Sequence, residues 1–411
     1  MARERKDARR ETGGRPGSVW KKVKPILDGL FLSGIVLIFL MGLAQTLIFP
    51  DEMSEYENRY AGRVERLTLA SWLDGSFQQS MDDALGDQVT LSSTFKGLYN
   101  RLNTALQRVT SERILGGEEY FQEHYIWLDG TRIFGGDTLV YGPYPESELE
   151  KLTGRIEDYN NTFAAFPDTE FFLYYIEKDT DLDFETGEKG RFYETLCAGL
   201  TLPAERTARF QIDSFEQFRE NFYQTDHHWN YNGSYRGYGQ VMELLGCEDA
   251  LIEPAELVTL PGQFSGSKAS MSGAMYSETF SAYRFRYPAM EITVNGHPAA
   301  DYGNQEGYLS GLWGTPTYGE FYGWDDGEVI FDTGRPERED ILVIGESYDN
   351  AVLKLIASHY NRTHSIDLRY YAATMGKEFS LGEYLREHEI GKVLLIGNVD
   401  FYLSPDFKLG G

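Results

Sequence analysis

The stretch that decides the fold is "ILVIGESYDNAVLKLIASHY", residues 341–360. It opens with the apolar run "ILVIG", passes through Glu346 and Ser347, and takes a helical pattern from about Asp349. Continuous apolar runs of this length are typical of strands that are buried on both faces of a parallel sheet. A strand, a short turn and a helix in this order indicate one step of an α/β domain.

Three other stretches have the same apolar character. They are "TEFFLYYIEK" (169–178), "IDLRYY" (366–371) and "KVLLIG" (392–397), and helical patterns separate the last three runs of the chain. This β-α-β alternation predicts a mainly parallel sheet. A further helix is predicted in "YPESELEKLTGRIEDYNNTFAAF" (144–166), which opens with a Pro/Ser/Glu start signal.

The N-terminus carries the pattern of a membrane anchor. Nine Lys and Arg stand against three acidic residues in positions 1–24, and the uncharged run "GLFLSGIVLIFLMGLAQTLIF" (29–49) follows. Such a run crosses about 30 Å of hydrocarbon as a helix. A cleaved signal peptide is the alternative, but its apolar part is usually about 7–15 residues long, and "LIFPDEMSEYEN" (47–58) is a poor cleavage context. We expect a single-pass plasma-membrane protein with a cytoplasmic N-terminus and the remainder outside.

The chain divides into four predicted parts. After the anchor, a polar segment takes on a helical apolar period, which predicts an amphipathic helix from about Phe77 to Gln107. The parts are a basic cytoplasmic tail (1–24), a transmembrane anchor (25–49), a juxtamembrane stalk with that helix (50–110) and a main α/β domain (111–411).

Charge and cysteine content exclude several kinds of partner. The net charge is −26, and because residues 1–24 are basic the acidic excess lies after the anchor. A body this acidic repels phosphate backbones, so we expect no nucleic-acid partner. Cys197 and Cys247 fall in the exterior part, where a disulfide is permitted, but their spacing does not establish one. The chain has no C-x-x-C pair, which excludes thiolate zinc sites.

Ser347 is the nucleophile candidate. A serine at the carboxyl end of a parallel strand, opening a helix, faces the crevice where α/β sheets bind ligands, and backbone N–H groups there can stabilise an oxyanion. The competing interpretation is a helix N-cap, for which serine is also favoured. The stretch is not a G-x-S-x-G elbow, because Asn350 and Ala351 stand where no glycine follows.

The segment "NFYQTDHHWNYNGSY" (221–235) supplies a possible partner for the serine. A serine nucleophile needs an imidazole to take its proton and a carboxylate to orient that imidazole. Asp226 and His228 meet this need if the chain is extended between them. A metal site and purely structural hydrogen bonding are the alternatives. Asp226, His227 and His228 are too close in sequence to provide three metal ligands on their own, so we expect no metal.

Five stretches carry a resemblance to the DHHW proteins, relatives of the alginate O-acetyltransferases. The likeness covers most of residues 54–411. The stretches are "SEYENRYA" (54–61), "MDDALGDQVTLSS" (81–93), "TDHHWNYNGSY" (225–235), "FSGSKASMSG" (264–273) and "ILVIGESYDNA" (341–351). The resemblance implies a three-layer SGNH-hydrolase-like α/β domain. It also implies a triad of Ser347 as nucleophile, His228 as general base and Asp226 as its orienter. Glu346 departs from the family's usual aspartate, which puts the local turn geometry in doubt.

Other residues are candidates for roles beside the expected triad. Asn398, just past a predicted strand, resembles the oxyanion asparagine of SGNH enzymes, and a loop asparagine with strand-end hydrogen bonds is the alternative. His227 is expected to be structural. For the aromatic residues, sugar stacking and ordinary packing both remain open; they are Trp229, Trp313, Tyr318, Tyr322 and Trp324.

The function that follows is an extracytoplasmic O-acetyltransferase acting on a cell-surface polysaccharide, with no cofactor. Acetyl-CoA is cytoplasmic, so an exterior enzyme needs a relay, and the resemblance implies a membrane-bound O-acyltransferase partner. A carbohydrate acetylesterase would use the same residues with water as the acceptor. A non-catalytic scaffold of an envelope assembly is the alternative from a different class.

Overall fold

The computed structural model describes residues 17–50, 53–54, 59–60, 62–88, 92–111, 113, 117, 119–128, 130–273 and 275–404. Most of the predicted basic tail (1–24) and parts of the stalk stretches 54–61 and 81–93 lie outside these residues.

Helices and strands alternate through most of the chain. The helices are Gly17–Ile48 (α1), Leu69–Asp74 (α2), Ser76–Gln88 (α3), Ser92–Thr110 (α4), Glu119–Glu123 (α5), Glu148–Ala165 (α6), Phe192–Gly199 (α7), Phe215–Asn221 (α8), Tyr231–Leu244 (α9), Ser267–Met271 (α10), Gln305–Leu309 (α11), Tyr318–Tyr322 (α12), Leu353–Ala357 (α13), Leu368–Met375 (α14), Leu381–His388 (α15) and Val399–Leu403 (α16). The strands are Met53–Ser54 (β1), Arg59–Tyr60 (β2), Ile126–Trp127 (β3), Arg132–Phe134 (β4), Thr138–Val140 (β5), Glu170–Ile176 (β6), Thr207–Phe210 (β7), Glu256–Thr259 (β8), Ser281–Arg284 (β9), Glu291–Val294 (β10), His297–Ala299 (β11), Glu328–Asp332 (β12), Ile341–Ile344 (β13), Arg362–Ile366 (β14) and Lys392–Gly397 (β15).

An eight-stranded sheet in the order β11-β10-β12-β14-β13-β15-β6-β7 organises the main domain. The five strands from β14 to β7 run parallel to one another, and β12, β10 and β11 add an antiparallel edge. β13 lies inside the parallel part, between β14 and β15. The predicted α/β class with a mainly parallel sheet is confirmed.

Both faces of the sheet are covered, which makes the domain three-layered. In β6, Phe172, Tyr174 and Ile176 enter one apolar core, while Phe171, Leu173 and Tyr175 enter the other. The first core lies against α8, α9, α12 and α13, and the second against α6, α7, α15 and α16. A strand buried on both faces has no polar alternation, which is why its sequence reads as one apolar run.

Several predicted elements lie where the sequence placed them. The runs 169–178, 341–345 and 392–397 are β6, β13 and β15. The predicted strand at 366–371 is wrong, because β14 ends at Ile366 and α14 begins at Leu368. The Asp367 side chain accepts a hydrogen bond from the Arg369 backbone N–H at 2.9 Å. This N-cap ends the strand and starts the helix.

The chain forms two compact units, Met1–Ser54 with Tyr60–Ser92, and Glu55–Arg59 with Ser93–Gly411. In the first unit, Val23–Ile48 is the one helical stretch of the described residues that is long and apolar enough to cross a membrane, a length and composition also found in signal sequences. The predicted single helix 77–107 is two helices, α3 and α4, and α4 lies almost wholly in the second unit. The predicted domain boundaries at 24, 49 and 110 stay predictions.

Candidate active site

Ser347 lies just beyond the carboxyl end of β13. It precedes a short 3-10 turn, Asp349–Ala351, and its relative exposure is 6%. Gly345 permits the turn from strand to serine, because a Cβ at this position would lie 2.2 Å from Asp349 Oδ2 and 3.0 Å from Ile396 Cγ2. The neighbouring parallel strands β15 and β6 end at the same edge, so the serine faces the crevice where α/β sheets bind ligands.

The loop 222–229 delivers the histidine to the same edge. Phe222 and Trp229 form an antiparallel bridge, and the Tyr223 N–H donates to the His228 carbonyl at 3.2 Å. Asn230 then caps α9 by accepting from the backbone N–H groups of Asn232 and Gly233. The loop is closed at both ends, which fixes the direction of its side chains.

Asp226, His228 and Ser347 form one hydrogen-bonded chain. His228 Nδ1 lies 2.6 Å from Asp226 Oδ1, and His228 Nε2 lies 2.8 Å from Ser347 Oγ. The His228 backbone N–H also donates to Asp226 Oδ1 at 3.0 Å. With the Nδ1 proton held by the carboxylate, Nε2 is free to accept the serine proton. This arrangement can activate a hydroxyl for nucleophilic attack.

The segment around α10 holds Asp226 from the opposite side. The Ser267 backbone N–H donates to Asp226 Oδ2 at 2.7 Å. A Cβ at Gly266 would lie 2.3 Å from Asp226 Cβ, so only glycine allows this approach. Both carboxylate oxygens thereby have donors, and the side chain cannot rotate away from the imidazole without losing one. Ser267 was part of a stretch that resembled the family, but the sequence assigned it no role.

Burial and local charge set the protonation of the histidine and the aspartate. Desolvation lowers the pKa of His228 below its usual 6.5, although the Asp226 carboxylate acts in the opposite direction. Desolvation would raise the pKa of Asp226, but the charge and hydrogen bond of His228, the His227 ring and the Ser267 N–H bring it below its usual value. The resting pair is a neutral imidazole beside a carboxylate, the state that a general base requires.

The pH dependence of activity follows from this lowered pKa. The acid limb of kcat/KM for an activated acetyl ester is expected to have its midpoint below pH 6.5, because His228 loses its basicity only when it is protonated. Initial rates across the pH range test this. His359→Gln is the matched control, since His359 is another buried histidine with a lowered pKa and lies apart from the serine. A midpoint above 6.5 contradicts the role given to His228.

Asp226, His227 and His228 also meet the geometric condition for a metal cluster, with one possible ligand atom of each within 4.8 Å of the others. Hydrogen bonds already occupy the main candidate atoms. His228 Nδ1 bonds Asp226, and His227 Nδ1 lies 2.6 Å from Ser267 Oγ. The His227 carbonyl accepts from the Tyr348 hydroxyl. These contacts tie His227 to Ser267 and Tyr348, and its structural role stays a prediction.

Asn398 lies near the serine and is bound to Glu346. Its Nδ2 donates to Glu346 Oε1 at 2.6 Å, and its Oδ1 accepts from the Asp400 N–H at 2.7 Å to cap α16. Burial raises the pKa of Glu346 to about 7. One of the two Nδ2 protons is therefore donated to Glu346, and the second proton is not part of this hydrogen bond.

The five candidate aromatic residues divide into buried and exposed sets. Trp229, Tyr318 and Tyr322 are buried, and the Tyr318 ring stacks on His228 with a centroid distance of 3.7 Å and an interplanar angle of 1°. Trp229 is fully buried and offers no face to a ligand in this structure. Trp313 and Trp324 are 47% and 40% exposed. Tyr318 thus supports the base, while the two tryptophans remain available to a ligand.

Two buried lysines lie close to the site and had been given no role in catalysis. Lys178 Nζ pairs with Asp400 at 2.6 Å, and Lys268 Nζ pairs with Asp179 at 2.7 Å. The charge of Lys178 is among the causes that lower the pKa of His228. The sequence signal was available, since Lys178 and Asp179 directly follow the buried strand β6. Cys197 and Cys247, both within the described residues, carry free thiols.

Comparison with known proteins places the fold among solved structures. No family model and no curated protein sequence matches the chain. Bacillus cereus PatB1 with a sulfonyl adduct is 18% identical, with a TM-score of 0.52, over 70% of this chain and 100% of that one. Another PatB1 structure is 17% identical, with a TM-score of 0.50, over 70% of this chain and 99% of that one. A DHHW family protein from Eubacterium siraeum is 14% identical, with a TM-score of 0.49, over 69% and 95%. The chain shares its fold with PatB1, and its neighbours include the family named from the sequence resemblance.

Proposed function

We propose that this chain is a membrane-anchored, extracytoplasmic O-acetyltransferase that modifies a cell-surface polysaccharide through an acyl-enzyme on Ser347. The observation that carries the proposal is the hydrogen-bonded chain from Asp226 through His228 to Ser347 at the carboxyl end of the sheet. The sulfonyl adduct of PatB1 gives support, since sulfonyl reagents combine with activated hydroxyls. The sequence resemblance to relatives of the alginate O-acetyltransferases favours acetyl as the acyl group.

The reaction takes two transfers with one base. In the first, Ser347 Oγ bonds to the acyl carbon of a donor ester while His228 Nε2 takes the hydroxyl proton. The donor C–O bond breaks, and that proton goes to the departing oxygen. In the second, a sugar hydroxyl gives its proton to His228 as its oxygen bonds to the acyl carbon. The bond to Ser347 breaks, and Oγ recovers the proton.

The negative oxygen of each tetrahedral intermediate needs donors within hydrogen-bond reach. Asn398 is proposed as one of them, through the Nδ2 proton that Glu346 does not take. Glu346 then positions the amide, because its carboxylate also accepts from the Asn398 backbone N–H at 3.3 Å.

Burial of the catalytic chain favours transfer over hydrolysis. His228 is 1% exposed and Ser347 is 6% exposed, so bulk water has little access to the acyl carbon. A sugar hydroxyl delivered by a bound acceptor then competes with few water molecules. The exposed faces of Trp313 and Trp324 are proposed to stack on sugar rings. The net charge of −26 favours a neutral or weakly charged glycan as the acceptor.

The location follows from the N-terminal helix. The stretch Val23–Ile48 is proposed as an uncleaved anchor, and the basic residues before it place the N-terminus in the cytoplasm. The catalytic residues are then outside, where acetyl-CoA is absent. A membrane-bound O-acyltransferase partner is proposed to supply the acetyl group, as the family resemblance implies.

A product assay tests the proposal directly. The full chain in detergent is incubated with 4-nitrophenyl acetate and a panel of neutral oligosaccharides, and the products are weighed by mass spectrometry. Oligosaccharides heavier by one acetyl group are expected, with Ser347→Ala as the control that forms none. Free acetate alone would replace the transferase with a carbohydrate esterase. If the wild-type chain and Ser347→Ala give the same background level of acetylated sugar and of free acetate, a non-catalytic scaffold describes the protein better.

A further inference from the structure

The helix α4 presents an apolar stripe to solvent. Leu98, Leu102, Leu106 and Val109 are between 45% and 66% exposed. Their spacing puts them on one face of the helix, over a length of about 17 Å. A surface helix normally turns such a stripe toward the core of its domain. An exposed stripe of this size therefore needs an explanation.

The opposite face of α4 is fixed to the main domain by polar contacts. Asn100 Nδ2 donates to the Ser272 carbonyl at 3.0 Å. Gln107 Nε2 donates to the Trp127 carbonyl at 3.1 Å. A Cβ at Gly97 would lie 2.7 Å from the Gly273 carbonyl oxygen, so the helix backbone approaches this segment closely. The helix cannot roll to bury its leucines without losing these contacts.

The charges of α4 are opposite in sign to those of the chain. Its sequence "SSTFKGLYNRLNTALQRVT" holds three basic residues and no acidic one, whereas the whole chain carries −26. Arg101 and Arg108 are exposed and lie to one side of the apolar stripe. Leucines flanked by basic residues are typical of a helix that lies in a membrane interface.

We propose that α4 docks on the surface of a bilayer that contains anionic lipids. This inference rests on the membrane anchoring stated in the proposed function. The anchor makes docking an intramolecular event, so a modest apolar stripe suffices. A second copy of the chain fits less well, because its α4 would bring the same basic residues against Arg101 and Arg108. The acidic body as a whole repels anionic phosphates, but α4 carries no acidic residue, so anionic lipid headgroups complement Arg101 and Arg108 at this helix. The leucines then enter the acyl boundary.

The docked helix is linked to the active site through the segment that it touches. α4 contacts Ser272 and Gly273, which directly follow α10, and Ser267 of α10 holds Asp226. Docking would therefore set the height and direction of the triad above the lipid surface. An enzyme that receives acyl groups from a membrane-embedded donor benefits from such a fixed orientation.

A fluorescence experiment on the full chain tests the docking. Cys197 and Cys247 are replaced with serine, and a single NBD label is placed by Leu102→Cys. The matched control is the label at Glu157→Cys, an exposed position on α6. The protein is reconstituted into nanodiscs of phosphatidylcholine with or without phosphatidylglycerol. We expect the label at 102 to shift to shorter wavelength with phosphatidylglycerol, to lose that shift at high salt, and the label at 157 to stay unchanged.

Other outcomes overturn the proposal. Water-like emission at 102 in anionic nanodiscs means that α4 does not enter the interface. A shift that is the same in both lipids means that anionic headgroups do not hold the helix, and cross-linking between copies would then identify a second copy as its cover. In unlabelled protein, Arg101→Glu with Arg108→Glu is expected to leave hydrolysis of 4-nitrophenyl acetate intact, so a failed proposed function and a failed docking surface are distinguishable.

Discussion

Ser347→Ala is expected to lower kcat/KM for an activated acetyl ester by at least about 10⁴-fold, because the nucleophile itself is lost. Alanine removes the oxygen that His228 Nε2 contacts at 2.8 Å and leaves the imidazole and its carboxylate in place. No covalent intermediate can then form at position 347. The variant is expected to fold, because the deleted hydroxyl makes one contact and leaves only a small space.

The measurement that separates this serine from others is covalent labelling. Phenylmethylsulfonyl fluoride is expected to modify the wild-type chain once, with the adduct located at Ser347 by peptide mass spectrometry. Ser358→Ala is the matched control, because Ser358 is also buried and its hydroxyl donates to the Lys354 carbonyl at 2.8 Å. This control should keep both activity and labelling. Labelling that persists in Ser347→Ala, with hydrolysis unchanged, would place the nucleophile elsewhere.

The parts of the fold that could be predicted are those in which one physical requirement dominates the sequence. β6, β13 and β15 are buried on both faces, so each had to be a continuous apolar run. The region 366–371 was also apolar, but its structure is decided by one cap. Asp367 lies between β14 and α14 and caps the helix. A prediction from apolar runs gives little importance to one such polar side chain.

The candidate site shows the same division. The spacing of Asp226 and His228 suggested that they pair, and the position of Ser347 after a strand suggested a nucleophile. That these two segments meet at the edge of the sheet was expected only from the family resemblance. The contacts of Ser267 and Tyr318 with the triad could not be predicted, because each residue begins a short helix that is far from Asp226 and His228 in sequence. Hydrogen bonds and ring stacking between such distant segments leave no periodic signal. Gly266, the residue before Ser267, was the one local feature of the sequence that indicated a close approach of another segment, which is the approach to Asp226.

Asp226→Asn is expected to lower kcat by about 10³–10⁴-fold with a much smaller effect on KM. Asp226 accepts hydrogen bonds from His228 Nδ1, the His228 N–H and the Ser267 N–H. An asparagine must turn its NH₂ toward one of these donors. If it faces His228, it donates to Nδ1, and the ring proton moves to Nε2, where it blocks proton transfer from Ser347. If it faces Ser267, two N–H groups oppose each other.

The pH profile gives Asp226→Asn a readout that a mere loss of stability would not produce. The Asp226 carboxylate is among the influences that raise the pKa of His228, so its removal is expected to move the acid limb to still lower pH. Glu278→Gln is the matched control, because Glu278 is a neighbouring carboxylate that holds the same loop through the Thr225 N–H at 2.6 Å. It should keep the wild-type midpoint and lose far less activity. A variant Asp226→Asn that retains kcat within about tenfold and keeps the wild-type midpoint would show that His228 does not depend on this carboxylate for its tautomer, and the chain would then act as a Ser-His pair.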